Sequence, residues 1–372
     1  MKFSNINLMI MSLTITAIFS GCGGESVAQE NRNKTALGEA LFTSKELSLN
    51  TTMSCATCHD IDKGMIDPRV DSMTLGASRG DNGTSLGDRN APTASYAAFA
   101  PSFHFDAGEG LFIGGQFLDG RATDLKAQAK GPFLNPVEMN MPNEASVVAR
   151  AKAVDTLSTQ LTSIYGSDIF ENDERAYDAI ADSIAMFEKS TLFSPFDAKI
   201  DRVYEGSTSF TALEKQGQQL FEGKAMCVAC HPVDGHHPLM TDYSYDNLGV
   251  PINSALRALN GIRDTDNGLG KEVNDAQLNG AFKVSTLRNI AVTGPYMHNG
   301  VFKNLKTVVH FYNTRDIGGI NPETGAIWEA SEVPLTVNHV ELGDLKLSDQ
   351  EEDALVAFMK TFTDKKLEHL IP

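Results

Sequence analysis

Basic residues are scarce in this chain. Lys and Arg total 31 against 48 Asp plus Glu, a formal net charge of −17. Phosphate recognition needs clustered cations, so nucleic acid is not expected as a partner. An acidic surface attracts basic proteins such as small cytochromes, or simply keeps the chain soluble. No apolar run reaches the roughly 20 residues of a membrane span. Strand signals are few, and no β-α-β pattern is evident. What is present is an ordinary globular balance, 41% apolar and 21% charged, which excludes a disordered, collagen-like or multi-span membrane protein. At roughly 150 residues per domain, 372 residues suggest two domains.

The N-terminus reads as an export signal. Lys2 supplies a positive charge, and the stretch Leu8–Phe19 is apolar apart from Ser12, Thr14 and Thr16. That length suits a signal-peptide core and is too short to span a bilayer. Phe19-Ser20-Gly21-Cys22 resembles a bacterial lipobox, with Phe where Leu is usual. Residues 1–21 are therefore expected to be a lipoprotein signal peptide and Cys22 the lipidated residue. Ordinary signal cleavage nearby is the alternative. The polar stretch that follows, 22–34, reads as a tether. The protein is expected to face the periplasm, joined to a membrane only by the lipid.

Five cysteines occur, and four of them form two pairs, each followed at once by histidine. These are Cys55-Ala56-Thr57-Cys58-His59 and Cys227-Val228-Ala229-Cys230-His231. C-x-x-C-H is the attachment pattern of c-type haem. Two thiols on one helical turn meet the two vinyl groups of the porphyrin, and the next residue sets an imidazole under the iron. A thioredoxin-like pair would need the missing β-α-β context. A zinc site would mean a small metal-stapled fold, which the wide separation of the pairs does not suit. Two covalently bound haem c groups are the expected cofactors.

The two halves repeat weakly. Gly38-Glu39-Ala40-Leu41-Phe42 precedes the first site and Gly217-Gln218-Gln219-Leu220-Phe221 the second. Thr211–Glu214 and Ser348–Glu351 are capping boxes. Leu355, Phe358, Met359 and Phe362 form a helical apolar stripe that reads as core. Helices are also expected over 144–164 and 174–193. The fold class is all-α: two cytochrome c-like domains, 35–200 and 201–372, each wrapped around one haem, with a boundary near Pro195 and Gly206.

Further blocks extend the pattern. They are Arg89-Asn90-Ala91-Pro92-Thr93, Asp119-Gly120-Arg121-Ala122, Gln128-Ala129-Lys130-Gly131-Pro132 and Asn135-Pro136-Val137-Glu138-Met139. Thr286-Leu287-Arg288-Asn289, Thr293-Gly294-Pro295-Tyr296-Met297-His298-Asn299-Gly300 and His310-Phe311-Tyr312-Asn313 follow. From about residue 35 to 365 the chain resembles the bacterial di-haem cytochrome c peroxidase family and, within it, the MauG-like branch. The resemblance implies that the haem held by His59 is where peroxide binds and that the haem held by His231 transfers electrons. Gln128, Pro132 and Glu138 would line the pocket over the first iron. Glu138 would act as general acid–base, moving a proton from the near peroxide oxygen to the leaving one, with burial raising its pKa toward neutrality. One calcium ion is implied between the haems, on the side chain of Asn90 and the carbonyls of Thr293 and Pro295, since hard cations prefer oxygen ligands.

Three positions depart from the peroxidase pattern. Members with Met as sixth ligand of the second haem carry it fourteen residues after the histidine of the P-Y-x-H block. Fourteen from His298 is Tyr312, as in the MauG branch. A phenolate stabilises ferric iron, so a lower potential is expected there. His310 and Met297 are the rival ligands. Second, the position of the usual first-haem cap is Asn82, and no His occurs between 60 and 103. The first haem is thus expected to be open without reductive activation; His104 is the one conceivable cap and more readily packs in an aromatic loop. Third, Leu118 stands where the family has the Trp that bridges the haems, and the only Trp is Trp328. Tyr296 is a candidate substitute.

The leading expectation is a di-haem peroxidase that reduces hydrogen peroxide to water with electrons from a small cytochrome c or a cupredoxin. A MauG-like oxidase acting on a partner protein's side chain or an organic substrate is the alternative, and a non-catalytic electron-transfer cytochrome is the third reading. The resemblance also allows a homodimer.

Overall fold

The computed structural model describes residues 22–372 apart from Ser72; the expected signal peptide, 1–21, lies outside the described residues. Twelve α-helices are described: α1 Cys22–Thr43, α2 Cys55–Cys58, α3 Leu125–Leu134, α4 Glu144–Ala153, α5 Asp155–Tyr165, α6 Asp173–Glu188, α7 Lys199–Tyr204, α8 Ala212–Glu222, α9 Ser254–Asn260, α10 Leu269–Glu272, α11 Leu305–Thr314 and α12 Asp349–Lys360. Strands are confined to two short antiparallel pairs among the described residues. β1 His104–Asp106 pairs with β2 Leu111–Ile113, and β3 Tyr245–Asp246 pairs with β4 Phe282–Lys283. No described helix is long and apolar enough to cross a membrane.

The weak repeat has a steric cause. Helix α1 crosses α6, and α8 crosses α12. A Cβ on Gly38 would strike the Ser183 carbonyl and Phe187; a Cβ on Gly217 would strike the Ala354 carbonyl and Phe358. Only glycine lets the two backbones come this close. Four residues on, Phe42 packs edge-on against Phe187 at 5.4 Å, and Phe221 against Phe358 at 5.5 Å. The G-x-x-L-F motif is thus the same helix crossing built twice.

Each crossing closes its own core. The first core runs from Leu37 to Phe193 and includes Val147, Leu161, Ile180 and Ile184. The second runs from Ala198 to Phe362 and contains the stripe Leu355, Phe358, Met359 and Phe362. Both capping boxes form. Thr211 N donates to Glu214 Oε2 at 2.7 Å, and Ser348 N donates to Glu351 Oε2 at 2.8 Å, each with the reciprocal bond.

Local structure departs from expectation in three places. The stretch expected to be a tether, 22–34, is helical as part of α1, its polar side chains linked at helical spacing: Arg32 to Gln29 at 2.7 Å, Gln29 to Asn33 at 2.8 Å and Lys34 to Glu30 at 3.2 Å. The helix expected over 144–164 is two helices, because Val154 takes extended angles (φ −92°, ψ 105°) and restarts the chain at Asp155. The helix expected over 174–193 ends at Glu188, where Ser190 N–H turns back to the Phe187 carbonyl.

Candidate functional site

Both C-x-x-C-H segments are short helical turns. Ser54 caps α2, and its N–H donates to the Thr57 hydroxyl at 2.9 Å. The second turn, Cys227–Ala229, follows Met226 in left-handed backbone (φ 55°). The four cysteines are free, and burial pushes the Cys58, Cys227 and Cys230 thiols up to about 12 and Cys55 higher still. Among the described residues no cluster of three or more His, Cys, Asp or Glu could hold a metal.

The histidines are prepared alike. His59 Nδ1 meets the Met65 carbonyl at 3.1 Å, and His231 Nδ1 meets the Met240 carbonyl at 2.7 Å. A carbonyl cannot donate, so Nδ1 carries the hydrogen and Nε2 presents its lone pair. Burial lowers both imidazole pKa values and keeps them neutral. An orienting Nδ1–H bond to a backbone carbonyl is what a metal-bound imidazole requires.

His231, Cys227, Cys230, Tyr312 and Met297 line one cavity of about 330 Å³. The Tyr312 phenol is raised in pKa by burial and by the two thiols beside it. A phenol in this setting keeps its proton unless a cation replaces it. His310 does not line the cavity; its Nδ1 is bonded to Glu352 Oε1 at 2.8 Å. Two residues from Tyr312 on α11, it faces another way.

Three further groups on this cavity were missed in the sequence. Lys283 is pushed down to about 8 by burial, and its Nζ donates to the Gly115 carbonyl at 2.6 Å. His298 stacks on Phe282 at 3.8 Å, its Nε2 has no partner, and burial drives its pKa down to about 3. The Tyr243 hydroxyl is likewise buried and unpaired. Orphaned polar atoms around an apolar cavity fit a large apolar group with polar appendages, and haem, with its two carboxylates, is one. A lysine between Phe282 and Val284 was the available signal.

The N-terminal constellation centres on α3. Asp124 caps it, accepting from Ala127 N at 2.9 Å. Gln128 and Pro132 are four apart and share one face. After the helix, Asn135 turns the chain so that its Nδ2 donates to Glu138 Oε1 at 2.7 Å. The Glu138 carboxyl lies deep enough for desolvation to raise its pKa, although its side chain is only half-buried. Its charge is felt at both Cys55 and Cys58. Asn90 Nδ2 donates to the Pro295 carbonyl at 3.0 Å, and Asn90, Thr293 and Pro295 all border the large cavity. Leu118 borders it too. His104 is exposed on β1 and bonded to the Ser102 carbonyl at 2.8 Å; it is not packed among the aromatic rings, which pair instead as Phe103 and Phe105 on Phe112. Trp328 packs in the second core on Phe302 and Phe311.

Two such sites in one largely helical chain define a di-haem c-type oxidoreductase. Residues 32–209 match the model of the family described as di-haem cytochrome c peroxidase. The chain is 45% identical over 349 residues to the methylamine utilization protein MauG of Paracoccus denitrificans, covering 90% of each. It is 31% identical over 291 residues to the cytochrome c peroxidase Ccp of Escherichia coli, covering 78% of this chain and 55% of that one. Its structure is similar to the diheme peroxidase BthA of Burkholderia thailandensis, with a TM-score of 0.81 and 29% identity over 91% of this chain and 88% of that one. The chain belongs to the di-haem cytochrome c peroxidase family, whose members carry two c-type haems.

Proposed function

We propose that this protein is a peroxidase that reduces hydrogen peroxide to water, drawing electrons from a small cytochrome c or a cupredoxin through the haem on His231. The observation that carries this reading is Glu138: a desolvated carboxyl, held by Asn135 in the turn that follows the helix of Gln128 and Pro132, within electrostatic reach of the Cys55–Cys58 turn. When bound, the haem on His59 supplies the iron at which peroxide is reduced. Glu138 takes a proton from one peroxide oxygen and returns it to the other, Gln128 donates a hydrogen bond, and Pro132 excludes water. An electron shuttle has no use for such a group.

Tyr312 supports a second reading, a MauG-like oxidase acting on a partner protein's side chain or an organic substrate, because it shares the cavity of His231. In either case Tyr312 is the proposed sixth ligand. Tyr312→Phe is expected to change the spin state of the second haem in electron paramagnetic resonance (EPR) spectra and leave the first unaltered. Because His310 does not line the cavity of His231, an unchanged spectrum would assign the ligand to Met297, which does.

Calcium is proposed at Asn90, with its amide oxygen turned inward, and the Thr293 and Pro295 carbonyls. Anchoring through a lipidated Cys22, a periplasmic location, a boundary between domains 35–200 and 201–372, and a homodimer belong to the same proposal. The deciding experiment is stopped-flow absorbance of the ferric protein mixed with peroxide, with and without a reduced small cytochrome c. Rapid stoichiometric oxidation of the cytochrome is expected. A long-lived oxidised protein that ignores the cytochrome would favour the oxidase, and no spectral response would leave the shuttle.

A further inference from the structure

We propose that Tyr96 is a redox relay between the two halves, giving up one electron while its phenol proton passes to Asp364. The inference rests on the peroxidase reading above and says how an electron crosses the chain.

Tyr96 is 1% exposed, and its contacts lead toward both sites. On one side, His59 Nδ1 and the Ala94 N–H converge on the same Met65 carbonyl, at 3.1 and 3.2 Å. From Ala94 the backbone runs two residues to Tyr96. A second route runs from the His59 ring to Phe42 at 6.5 Å, then to Phe193 at 5.7 Å, whose carbonyl accepts from Tyr96 N at 3.0 Å. On the other side, Tyr96 lines the cavity that holds His231 and Tyr312. The Arg288 guanidinium lies 5.1 Å over its ring, and Arg288 Nε donates to the Pro238 carbonyl, two residues before the Met240 carbonyl that orients His231.

Position alone makes no relay. A phenol with an ordinary pKa near 10 becomes a far stronger acid on losing an electron, so oxidation needs a base within hydrogen-bond reach. Tyr96 Oη donates to Asp364 Oδ1 at 2.6 Å, the length of a charge-assisted bond. Asp364 is fixed on its other oxygen by Asn289 Nδ2 at 2.8 Å, and its own N–H donates to Asn289 Oδ1 at 2.8 Å. Loss of one electron therefore yields a neutral tyrosyl radical and a protonated Asp364. Return of an electron from the His231 side restores phenol and carboxylate, so the proton never leaves the pair. Peroxide reduction takes up two electrons and two protons; Tyr96 lends one of the electrons and recovers it from the donor. The positive charge over the ring does not oppose this, because Arg288 is paired with Asp201 at 2.5 and 2.8 Å.

The other tyrosines lack the combination. Tyr296 also lines the cavity, but its hydroxyl donates to the Ile290 carbonyl, and that of Tyr245 to the Gly114 carbonyl; neither carbonyl can take a proton. Tyr165 meets Asp182 at 2.8 Å but does not line the cavity.

The test is rapid-freeze EPR of ferric holoprotein mixed with hydrogen peroxide without donor, with absorbance followed in parallel. An organic radical is expected, with hyperfine structure that collapses when the protein carries ring-deuterated tyrosine. It should be lost in Tyr96→Phe and persist in Tyr296→Phe. Asp364→Asn is a second variant with the phenol intact. Asn289 would hold its amide oxygen, turning the NH2 group toward Tyr96, so the proton has no acceptor and the radical should be lost again. Haem oxidation without a tyrosine radical, or the same radical in Tyr96→Phe, overturns the relay alone. A haem that does not respond to peroxide overturns the peroxidase reading and the relay with it.

Discussion

Glu138→Gln is expected to slow peroxide cleavage by about 10²–10⁴-fold, the usual worth of a positioned acid–base group, with both haems still attached. Gln is isosteric and can still accept from Asn135 Nδ2, so the turn after α3 should survive. What is lost is the capacity to take up and return a proton. Because desolvation raises the carboxyl's pKa, Glu138 stays protonated to a higher pH than an ordinary glutamate and works as a base only above that value. Wild-type turnover should therefore rise with pH through that raised pKa, and the variant should lose this acidic limb along with its rate. Stability separates the two roles. A carboxyl whose pKa is raised on folding favours the folded state below its unfolded pKa and loses that contribution as pH rises through the folded one. Above the unfolded pKa the raised carboxyl is a net cost to folding, so Glu138→Gln should unfold no sooner than wild type. Near-normal turnover, or loss of activity with early unfolding, would remove Glu138 from the chemistry.

Asp201→Asn should cost about 3–5 kcal/mol of stability, the penalty for stranding one member of a buried ion pair. Neither side chain of the Arg288–Asp201 pair has any exposure. The guanidinium bonds Asp201 at 2.5 and 2.8 Å and is sandwiched between Tyr96 at 5.1 Å and Phe196 at 5.0 Å. Asp201 also accepts from Ala198 N at 2.9 Å, tying the start of α7 to the same knot. Removing the negative charge leaves a cation among rings with no water to take its place. Adding Arg288→Met should recover much of the loss, because two neutral side chains strand nothing. Chemical denaturation of the four proteins of this cycle measures both effects. A loss below about 1 kcal/mol for the single variant would mean that Arg288 reaches solvent or another anion.

Legibility in the sequence followed distance along the chain. The C-x-x-C-H turns, the capping boxes and the α12 stripe are each set within about two helical turns, and each stands where its spacing put it. The G-x-x-L-F repeat was visible as letters, but its cause was not, because Ser183 and Ala354 lie more than a hundred residues from their glycines. The break at Val154 escaped notice because a single extended residue leaves helical periodicity on both sides intact. Asp201 and Arg288, Tyr96 and Asp364, and the burial of Lys283 and His298 are products of tertiary packing that no local pattern announces. His310 illustrates the limit most directly: a good iron ligand by type, it lies outside the cavity that His231 and Tyr312 share, a placement no local pattern announces.

The glycine crossings bear on the order in which the protein can be made. In each half the thiol pair lies between the two helices that cross: Cys55 and Cys58 between α1 and α6, Cys227 and Cys230 between α8 and α12. The crossing is therefore a latch that shuts only after its thiols have emerged, and α12, near the end of the chain, is among the last segments to arrive. The first half can close while the second is still emerging, and the span from thiols to latch is nearly the same in both, 115 residues from Cys58 to Asp173 and 119 from Cys230 to Asp349. A chain halted before Asp349 would carry a finished first half and an unlatched second one, its two cysteines still open to the attachment machinery or to oxidation.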